Sequence, residues 1–205
     1  MPEATSASGS ALAVNVANPA PLGLAAFGLT TIVLSSINAG LVTGDSATLL
    51  AVVVPLAFAF GGAAQIIAGI LEYHKGNTFG LVAFTSYAMF WWWYSLMLWT
   101  VGAGWIQPPA ANAVGLTLAI WGVFTLYMWV STFRKSLTLW IVFLLLWITF
   151  FLLAGGDLGM GASWHAAGGY VGVLTGIGAL YASFAEMTNE TFKREVIPMG
   201  APLVR

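Results

Sequence analysis

A single amide side chain, Gln65, stands among small residues in the run FGGAAQ over residues 60–65. Ala57, Gly61, Gln65 and Gly69 are spaced by four, so they share one face of a helix. A small-residue face lets two helices pack closely in lipid, and an amide on it bonds to the neighbouring helix. The alternative interpretation is that Gln65 faces a pore and bonds a carboxylate or water there.

A second candidate is the stretch NPAPLGL over residues 18–24. Asparagine is a favoured N-cap residue and proline is favoured at the first helical position, so Asn18-Pro19 predicts a helix start. Either this is its whole role, or the unpaired N–H groups and the positive end of the helix dipole also attract a small anion. In the second interpretation Pro21 shapes the entrance, and Gly23 lets a neighbouring helix or a solute approach closely.

The carboxylates near helix ends also have two interpretations. Glu72 and Glu186 are placed where they could exchange protons with one side of a membrane. Alternatively, they pair with basic residues such as Lys75 or Arg134 at the membrane face. Three further titratable residues lie in connections or close to a helix end and are expected to be solvated: Asp45, Asp157 and His165.

The composition indicates an integral membrane protein. The 205 residues are 60% hydrophobic and only 6% charged, whereas a soluble domain carries about 25% charged residues. The formal net charge of −1 gives no reason to expect a nucleic-acid partner, and the lack of cysteine excludes disulfides and thiolate chemistry. No pattern predicts a metal site, a cofactor or an enzyme's nucleophile–base pair within the apolar segments.

Six apolar segments are long enough to cross a bilayer, which takes roughly 20 residues. They run from about Pro21 to Val42, Ala47 to Leu71, Phe79 to Val101, Ala110 to Ser131, Leu137 to Gly155 and Ser163 to Ala185. The sequence therefore predicts an all-α membrane protein built as a bundle of six transmembrane helices. The expected division is a loose tail over 1–17, a transmembrane domain over 18–186 and a C-terminal tail over 187–205.

The basic residues predict the orientation. They lie between spans two and three, between spans four and five, and after span six: Lys75, Arg134, Lys135, Lys193, Arg194 and Arg205. All six therefore fall on one side of the membrane, and basic residues favour the cytoplasmic side. Both termini are predicted to be cytoplasmic, in a plasma or inner membrane.

Several motifs in sequence order resemble the acetate uptake transporter family, also called the succinate–acetate permease family. They are NPAPLGL over 18–24, FGGAAQ over 60–65, LEYHKGNTFG over 71–80, AFTSY over 83–87, WGVFT over 121–125 and the closing Asn189-Glu190. The resemblance runs from about Asn18 to Pro198. It implies a pore through each six-helix protomer, assembly as a homohexamer, and substrates such as acetate, related short monocarboxylates and, in some members, succinate.

The resemblance also implies a hydrophobic constriction formed by Phe27, Tyr87 and Leu146, with Gly178 as another pore-facing position. At about 1.5 Å per helical residue, all four lie about 12–14 Å from the same end of their spans. The predicted substrate-binding and pore residues are thus Asn18, Pro19, Pro21, Leu22, Phe27, Thr31, Gln65, Thr85, Tyr87, Leu146 and Gly178, with Glu72 as a possible proton-exchange group.

Because a bare carboxylate leaves water at a far higher cost than the neutral acid, crossing an apolar ring favours the acid or a proton-linked step. The first hypothesis is proton-linked transport of acetate, gathered near Asn18 and Gln65, with hydroxyls such as those of Thr31 and Thr85 along the route. The second is a passive gated channel for acetate or a neutral solute such as urea. The third is a membrane protein without transport activity, such as a sensor.

Overall fold

The computed structural model describes residues 16–204, apart from the side chain of Ser46. The predicted N-terminal tail over 1–17 therefore lies almost wholly outside the described residues. The described range is helical and has no strand. Its helices are α1 (Ala20–Asn38), α2 (Ser46–Leu56, Ala57–Ala64 and Gln65–His74 in unbroken succession), α3 (Thr78–Gly102), α4 (Ala111–Ser131), α5 (Leu137–Gly155) and α6 (Ala162–Phe192).

Each predicted span coincides with one of these helices, and the main difference is at the end of the chain. Helix α6 continues to Phe192, beyond the predicted span end at Ala185. Five helices are long and apolar enough to cross a membrane, namely α1, α2, α4, α5 and α6. Helix α3 is 25 residues long and uncharged but rich in Trp and Tyr. The number of spans, the orientation and the domain boundaries stay predictions.

Helices α1 and α6 pack closely because glycines line both surfaces. A Cβ built on Gly176 would lie 2.7 Å from the Gly28 carbonyl oxygen, and one on Gly172 would lie 2.2 Å from Ser35 Oγ. Real Cβ atoms do not approach so closely, so only glycine allows this separation. Gly172 and Gly176 of α6 therefore serve packing within the chain, as small residues do between membrane helices.

The middle of α2 is a π-helix, Ala57–Ala64, which begins two residues after Pro55. Proline lacks an N–H and disturbs the helical hydrogen-bond ladder. Side chains of α3 bond to carbonyls in this region: Ser95 Oγ donates to the Val54 oxygen at 2.8 Å, and Trp92 Nε1 donates to the Phe58 oxygen at 2.9 Å. The irregular segment is thus held by α3, and it leads directly into Gln65.

The connections carry more structure than the sequence predicts. Asp45 caps α2 by accepting from Thr48 N at 3.2 Å. Asp157 and His165 were expected to be solvated, but Asp157 Oδ1 lies 2.8 Å from His165 Nε2 and the Asp157 side chain is only 19% exposed. The π turn Gly156–Met160 after α5 brings them together, because it folds the chain back onto the start of α6.

The residues after α6 form a C-terminal strap (residues 195–204) across one end of the bundle. Asn189, in the last turns of α6, accepts from the backbone N–H groups of Val196 and Ile197 at 2.7 and 2.9 Å and donates to the Ile197 oxygen at 2.8 Å. Because all three bonds come from one side chain, Asn189 fixes the direction in which the chain leaves the helix.

Further along the strap, Met199 ties the chain to the start of α5. Its carbonyl accepts from Thr138 N at 3.0 Å and from Thr138 Oγ1 at 2.9 Å. Its side chain packs against the apolar cluster that contains Leu24, as does the side chain of Leu139 on α5. The strap therefore connects α6, α5 and α1 at the end of the bundle where Lys75 and Lys135 also lie, called the basic end below.

Candidate functional site

A cavity of about 180 Å³ enters the bundle from the basic end. Its polar lining residues near the mouth are Lys75, Asn77, Lys135 and Glu186. Its apolar and deeper lining residues are Ala20, Leu24, Phe27, Gln65, Phe79, Gly80, Ala83, Phe84, Tyr87, Leu139, Val142, Phe143 and Leu146. The cavity thus changes from charged to apolar along its length, with Gln65 as the polar exception in the deeper part.

Asn18 organises the mouth. Its Oδ1 accepts from Lys75 Nζ at 2.7 Å and from Ala20 N at 3.2 Å, while its Nδ2 donates to Glu186 Oε2 at 3.1 Å. Helix α1 begins at Ala20, so Pro19 takes the N-cap position and not the predicted first helical position. Asn18 therefore links the start of α1, the α2–α3 turn and α6.

The start of α1 was predicted to attract an anion through unpaired backbone N–H groups, but few of these groups are free. The Ala20 N–H is bonded to Asn18, Pro21 has none, and the Gly23 N–H bonds to the Pro19 oxygen at 3.2 Å. Positive charge at the mouth comes from lysine side chains. Lys135 lies with its Nζ 5.4 Å from the centroid of the Phe79 ring, a cation–π distance that holds it over the cavity wall.

Glu72 is fully buried beside the mouth. Its Oε2 accepts from Asn77 Nδ2 at 2.7 Å, and within the described range its Oε1 has no hydrogen-bond partner. Asn77 Oδ1 also caps α3 by accepting from Gly80 N at 3.3 Å. A Cβ on Gly80 would lie 2.7 Å from the Glu72 carboxyl carbon, so the α2–α3 turn leaves room for this carboxyl and no more.

Aromatic rings close the deep end of the cavity. The rings of Phe27 and Tyr87 lie 5.5 Å apart between centroids, and Leu146 lines the same depth from α5. The Tyr87 hydroxyl donates to Thr125 Oγ1 at 3.0 Å, and Thr125 Oγ1 donates to the Trp121 oxygen at 2.8 Å. The Tyr87 hydroxyl is thereby directed towards α4, and the Tyr87 ring lines the cavity.

Gln65 is the polar group left free in this deep region. It is 1% exposed, and neither its Nε2 nor its Oε1 has a partner in the described part of the chain. Gln65 lies nine positions before His74 at the end of α2, and Tyr87 lies nine positions after Thr78 at the start of α3. Both therefore lie about 13 Å from the basic end, at one level of the cavity.

The other predicted site residues lie around the cavity and not in its lining. Pro19 is buried, and the Pro21 carbonyl accepts from Ser183 Oγ at 2.6 Å. Leu22 is 38% exposed on the outer face of α1. Gly178 packs near Val142, whose Cγ2 would be 3.0 Å from an added Cβ.

Two predicted hydroxyl groups already have acceptors. Thr31 Oγ1 donates to the Phe27 carbonyl at 2.7 Å, and Thr85 Oγ1 donates to the Leu81 carbonyl. Each bond closes on the residue's own helix, as threonine hydroxyls commonly do. Neither group is free to donate to a solute without giving up that bond.

Sequence reasoning did not place Lys75, Asn77 or Lys135 in the cavity. Lys75 and Asn77 belong to the motif over residues 71–80, and this motif could have indicated that they lie at the site. Lys135 had no local signal, because its position depends on how the α4–α5 turn docks against α3. Within the described residues, no group of three or more His, Asp or Glu side chains is arranged to hold a metal ion.

The chain is similar in sequence and in structure to known membrane transport proteins. A sequence model described as the GPR1/FUN34/yaaH family matches residues 4–201. The succinate-acetate/proton symporter SatP of Escherichia coli is 42% identical over 185 residues, which cover 90% of this chain and 96% of that protein. Acetate permease A of Emericella nidulans is 36% identical over 200 residues, covering 90% and 66%. A solved structure of the bacterial acetate channel SatP matches with a TM-score of 0.85 at 42% identity, covering 90% of this chain and 99% of that one.

Proposed function

The chain belongs to the GPR1/FUN34/yaaH family, and we propose that it transports acetate and related short carboxylates, including succinate, across a cell membrane. Relatives named for succinate–acetate/proton symport and for acetate permeation support this proposal. The structural match to an acetate channel supports the same class of substrate.

The observation that carries the proposal is the polarity gradient of the cavity. Two lysines at the mouth, Lys75 and Lys135, raise the local concentration of small anions. The deep end is apolar and closed by Phe27 and Tyr87, so a solute must leave most of its water there. A short carboxylate fits both ends, because its charged group is attracted at the mouth and its methyl group suits the apolar wall.

In this proposal Phe27, Tyr87 and Leu146 form the constriction, and Gln65 is the polar contact at the same level. Asn18 positions Lys75 and Glu186 at the mouth through its three hydrogen bonds. Pro19, Pro21 and Leu22 hold the start of α1. Roles for Thr31, Thr85 and Gly178 in contact with substrate stay predictions from the sequence.

Transport is proposed to be linked to protons. A carboxylate crosses an apolar constriction at far lower cost when it is protonated. Glu72 and Glu186 lie beside the mouth, where they could pass a proton to an arriving anion. A passive channel for acetate is the second candidate, and the match to a protein described as an acetate channel favours it.

The proposed arrangement in the membrane is six spans with α3 included, both termini in the cytoplasm, and a homohexamer in a plasma or inner membrane. Five apolar helices support a protein with several membrane spans, and the lysines at the basic end support a cytoplasmic location for that end. The homohexamer stays a prediction from the family resemblance, and the identity of the membrane stays a prediction from the sequence. Two features support α3 as the sixth span. The helix carries no charged residue, and it packs along α2 for much of its length.

Uptake of labelled acetate into liposomes that carry the purified protein tests the proposal. The experiment compares an inward proton gradient with no gradient, and a protonophore and protein-free liposomes correct for acetic acid that crosses the lipid. Protein-dependent accumulation that the protonophore abolishes is expected for symport. Faster equilibration without accumulation would identify a channel, and no protein-dependent flux would overturn the transport proposal.

A further inference from the structure

The unpaired amide of Gln65 has both a donor and an acceptor, which can distinguish a neutral carboxylic acid from its anion. This inference rests on the proposed function, because it concerns the cavity through which the solute is proposed to move. Gln65 is 1% exposed, lines the cavity, and has neither its donor nor its acceptor engaged within residues 16–204. Leaving a buried amide unpaired is costly, so a partner is expected to enter from the cavity.

The surrounding polar groups do not serve as that partner. The Tyr87 hydroxyl donates to Thr125, and the hydroxyls of Thr30 and Thr31 donate to carbonyls of α1 itself. At this depth a solute therefore meets aromatic and aliphatic walls and a single amide. The lysines lie at the mouth of the cavity, whereas Gln65 lies about 13 Å deeper along the helix axis.

A primary amide presents a donor, Nε2, and an acceptor, Oε1, side by side. An ionised carboxylate only accepts hydrogen bonds, so it pairs with Nε2 and meets Oε1 as a repulsive neighbour. A protonated carboxylic acid has one O–H donor and one carbonyl acceptor, so it can pair with both amide atoms in a closed two-bond arrangement. Short primary amides have the same donor–acceptor pair.

We propose that Gln65 binds its solute through both amide atoms at once, so that the deep site takes neutral carboxylic acids and short primary amides and rejects carboxylate anions. Acetic acid and acetamide present the same pairing edge at nearly the same size. The chain should therefore carry or bind acetamide, a molecule with no charge and no transferable acid proton.

The test uses the full-length protein in liposomes, with acetamide as the probe. Acetamide is expected to compete with labelled acetate, whereas methyl acetate, which has the acceptor but no donor, is expected not to compete at equal concentration. Gln65→Leu, which removes both polar atoms with little change in volume, is expected to lower protein-dependent acetate flux at least tenfold and to abolish acetamide competition. Because the wild-type amide is unpaired, this variant is expected to fold, and size-exclusion chromatography checks that it does.

The pH dependence supplies a second, independent arm. At constant total acetate, flux is expected to fall about tenfold for each pH unit above the pKa of a simple carboxylic acid, while acetamide flux stays level. Lys75, Lys135, Glu72, Glu186 and Tyr87 are the titratable groups near the cavity, and the acetamide flux reports any effect of their titration that does not depend on the charge of the solute.

The outcomes separate the two proposals. Absence of protein-dependent acetate flux contradicts the proposed function itself. Acetate flux that acetamide does not inhibit, or that Gln65→Leu leaves unchanged, overturns the role of Gln65 and leaves the transport proposal standing. Acetate flux that follows the anion concentration across the pH range overturns the selection of the neutral acid.

Discussion

The hydroxyl of Tyr87 on α3 donates a 3.0 Å hydrogen bond to Thr125 Oγ1 on α4, and both residues are buried. Thr125 in turn donates to the Trp121 carbonyl of its own helix. This short chain of bonds holds the Tyr87 ring across the deep end of the cavity, next to Phe27.

The two ends of this hydrogen bond are not equivalent. Tyr87→Phe removes the donor, and Thr125 keeps its bond to Trp121, so the free energy of unfolding is expected to fall by about 0.5–1.5 kcal/mol. Thr125→Val leaves the buried Tyr87 hydroxyl without its acceptor and is expected to cost about 1–3 kcal/mol. Thermal unfolding in one detergent compares the two variants. Equal losses, or a larger loss for Tyr87→Phe, would contradict this assignment of donor and acceptor.

Removal of the Phe27 ring should open the deep end of the cavity. Phe27→Ala is expected to raise protein-dependent acetate flux and to admit bulkier carboxylates, while lowering stability by about 3–5 kcal/mol as buried Phe→Ala changes do. Stopped-flow flux assays on liposomes measure the first effect, with Phe184→Ala as the control, because Phe184 is 49% exposed and outside the cavity. Unchanged or reduced flux in folded Phe27→Ala would argue against a constriction at this ring.

Lys75 and Lys135 at the mouth should increase the affinity for anions without changing the maximal rate of transport. Lys75→Gln with Lys135→Gln is expected to raise the KM for acetate about three- to tenfold and to leave the maximal rate nearly unchanged. The effect should shrink at high ionic strength, because salt screens charge. Lys193→Gln is the matched control, since Lys193 is exposed after α6 and does not line the cavity. A fall in maximal rate at constant KM would contradict a role in capture.

The contact between α1 and α6 should tolerate no added methyl group. Gly176→Ala places a Cβ 2.7 Å from the Gly28 carbonyl oxygen, and backbone cannot move aside as a side chain can. The expected loss of stability is about 1–3 kcal/mol. Gly102→Ala, where an added Cβ meets nothing within 4 Å, is expected to leave the unfolding temperature unchanged or higher. A similar response from both variants would argue against this packing.

The C-terminal strap should depend on Asn189. Asn189→Ala removes three hydrogen bonds to Val196 and Ile197, and the expected loss of stability is about 1–3 kcal/mol. Limited proteolysis should then cut the strap faster than in the wild type. Thr191→Ala is the control, because Thr191 is exposed and bonds only to its own helix. Unchanged proteolysis in Asn189→Ala would show that the strap is held by its other contacts.

The sequence predicted what depends on local chemistry and on length. Apolar segments of about 20 residues located the helices, and the spacing of small residues around Gln65 correctly indicated a buried face. Gly23 was expected to allow close approach, and the ring of Phe84 lies 2.6 Å from the position that a Cβ on Gly23 would take.

Features made by distant segments escaped sequence analysis. Lys135 reaches the cavity because the α4–α5 turn docks near Phe79, and neither residue carries a local sign of that contact. The pair of Asp157 and His165 depends on a π turn that no periodicity predicts. The strap has no repeating apolar pattern, so its hydrogen bonds with Asn189 and Thr138 became visible only in the folded chain.

The central claim is that the solute moves through the cavity of the basic end, and a single thiol tests it most directly. The chain has no cysteine, so Leu139→Cys introduces one reactive group on the cavity wall. Phe192→Cys introduces one at the exposed end of α6, outside the cavity. A charged, membrane-impermeant thiol reagent is applied to liposomes, and protein-dependent acetate flux is measured before and after labelling. The account predicts that labelling blocks flux in Leu139→Cys alone, while Phe192→Cys and the wild type are unaffected. Full flux through Leu139→Cys after complete labelling, verified by mass spectrometry, would contradict it.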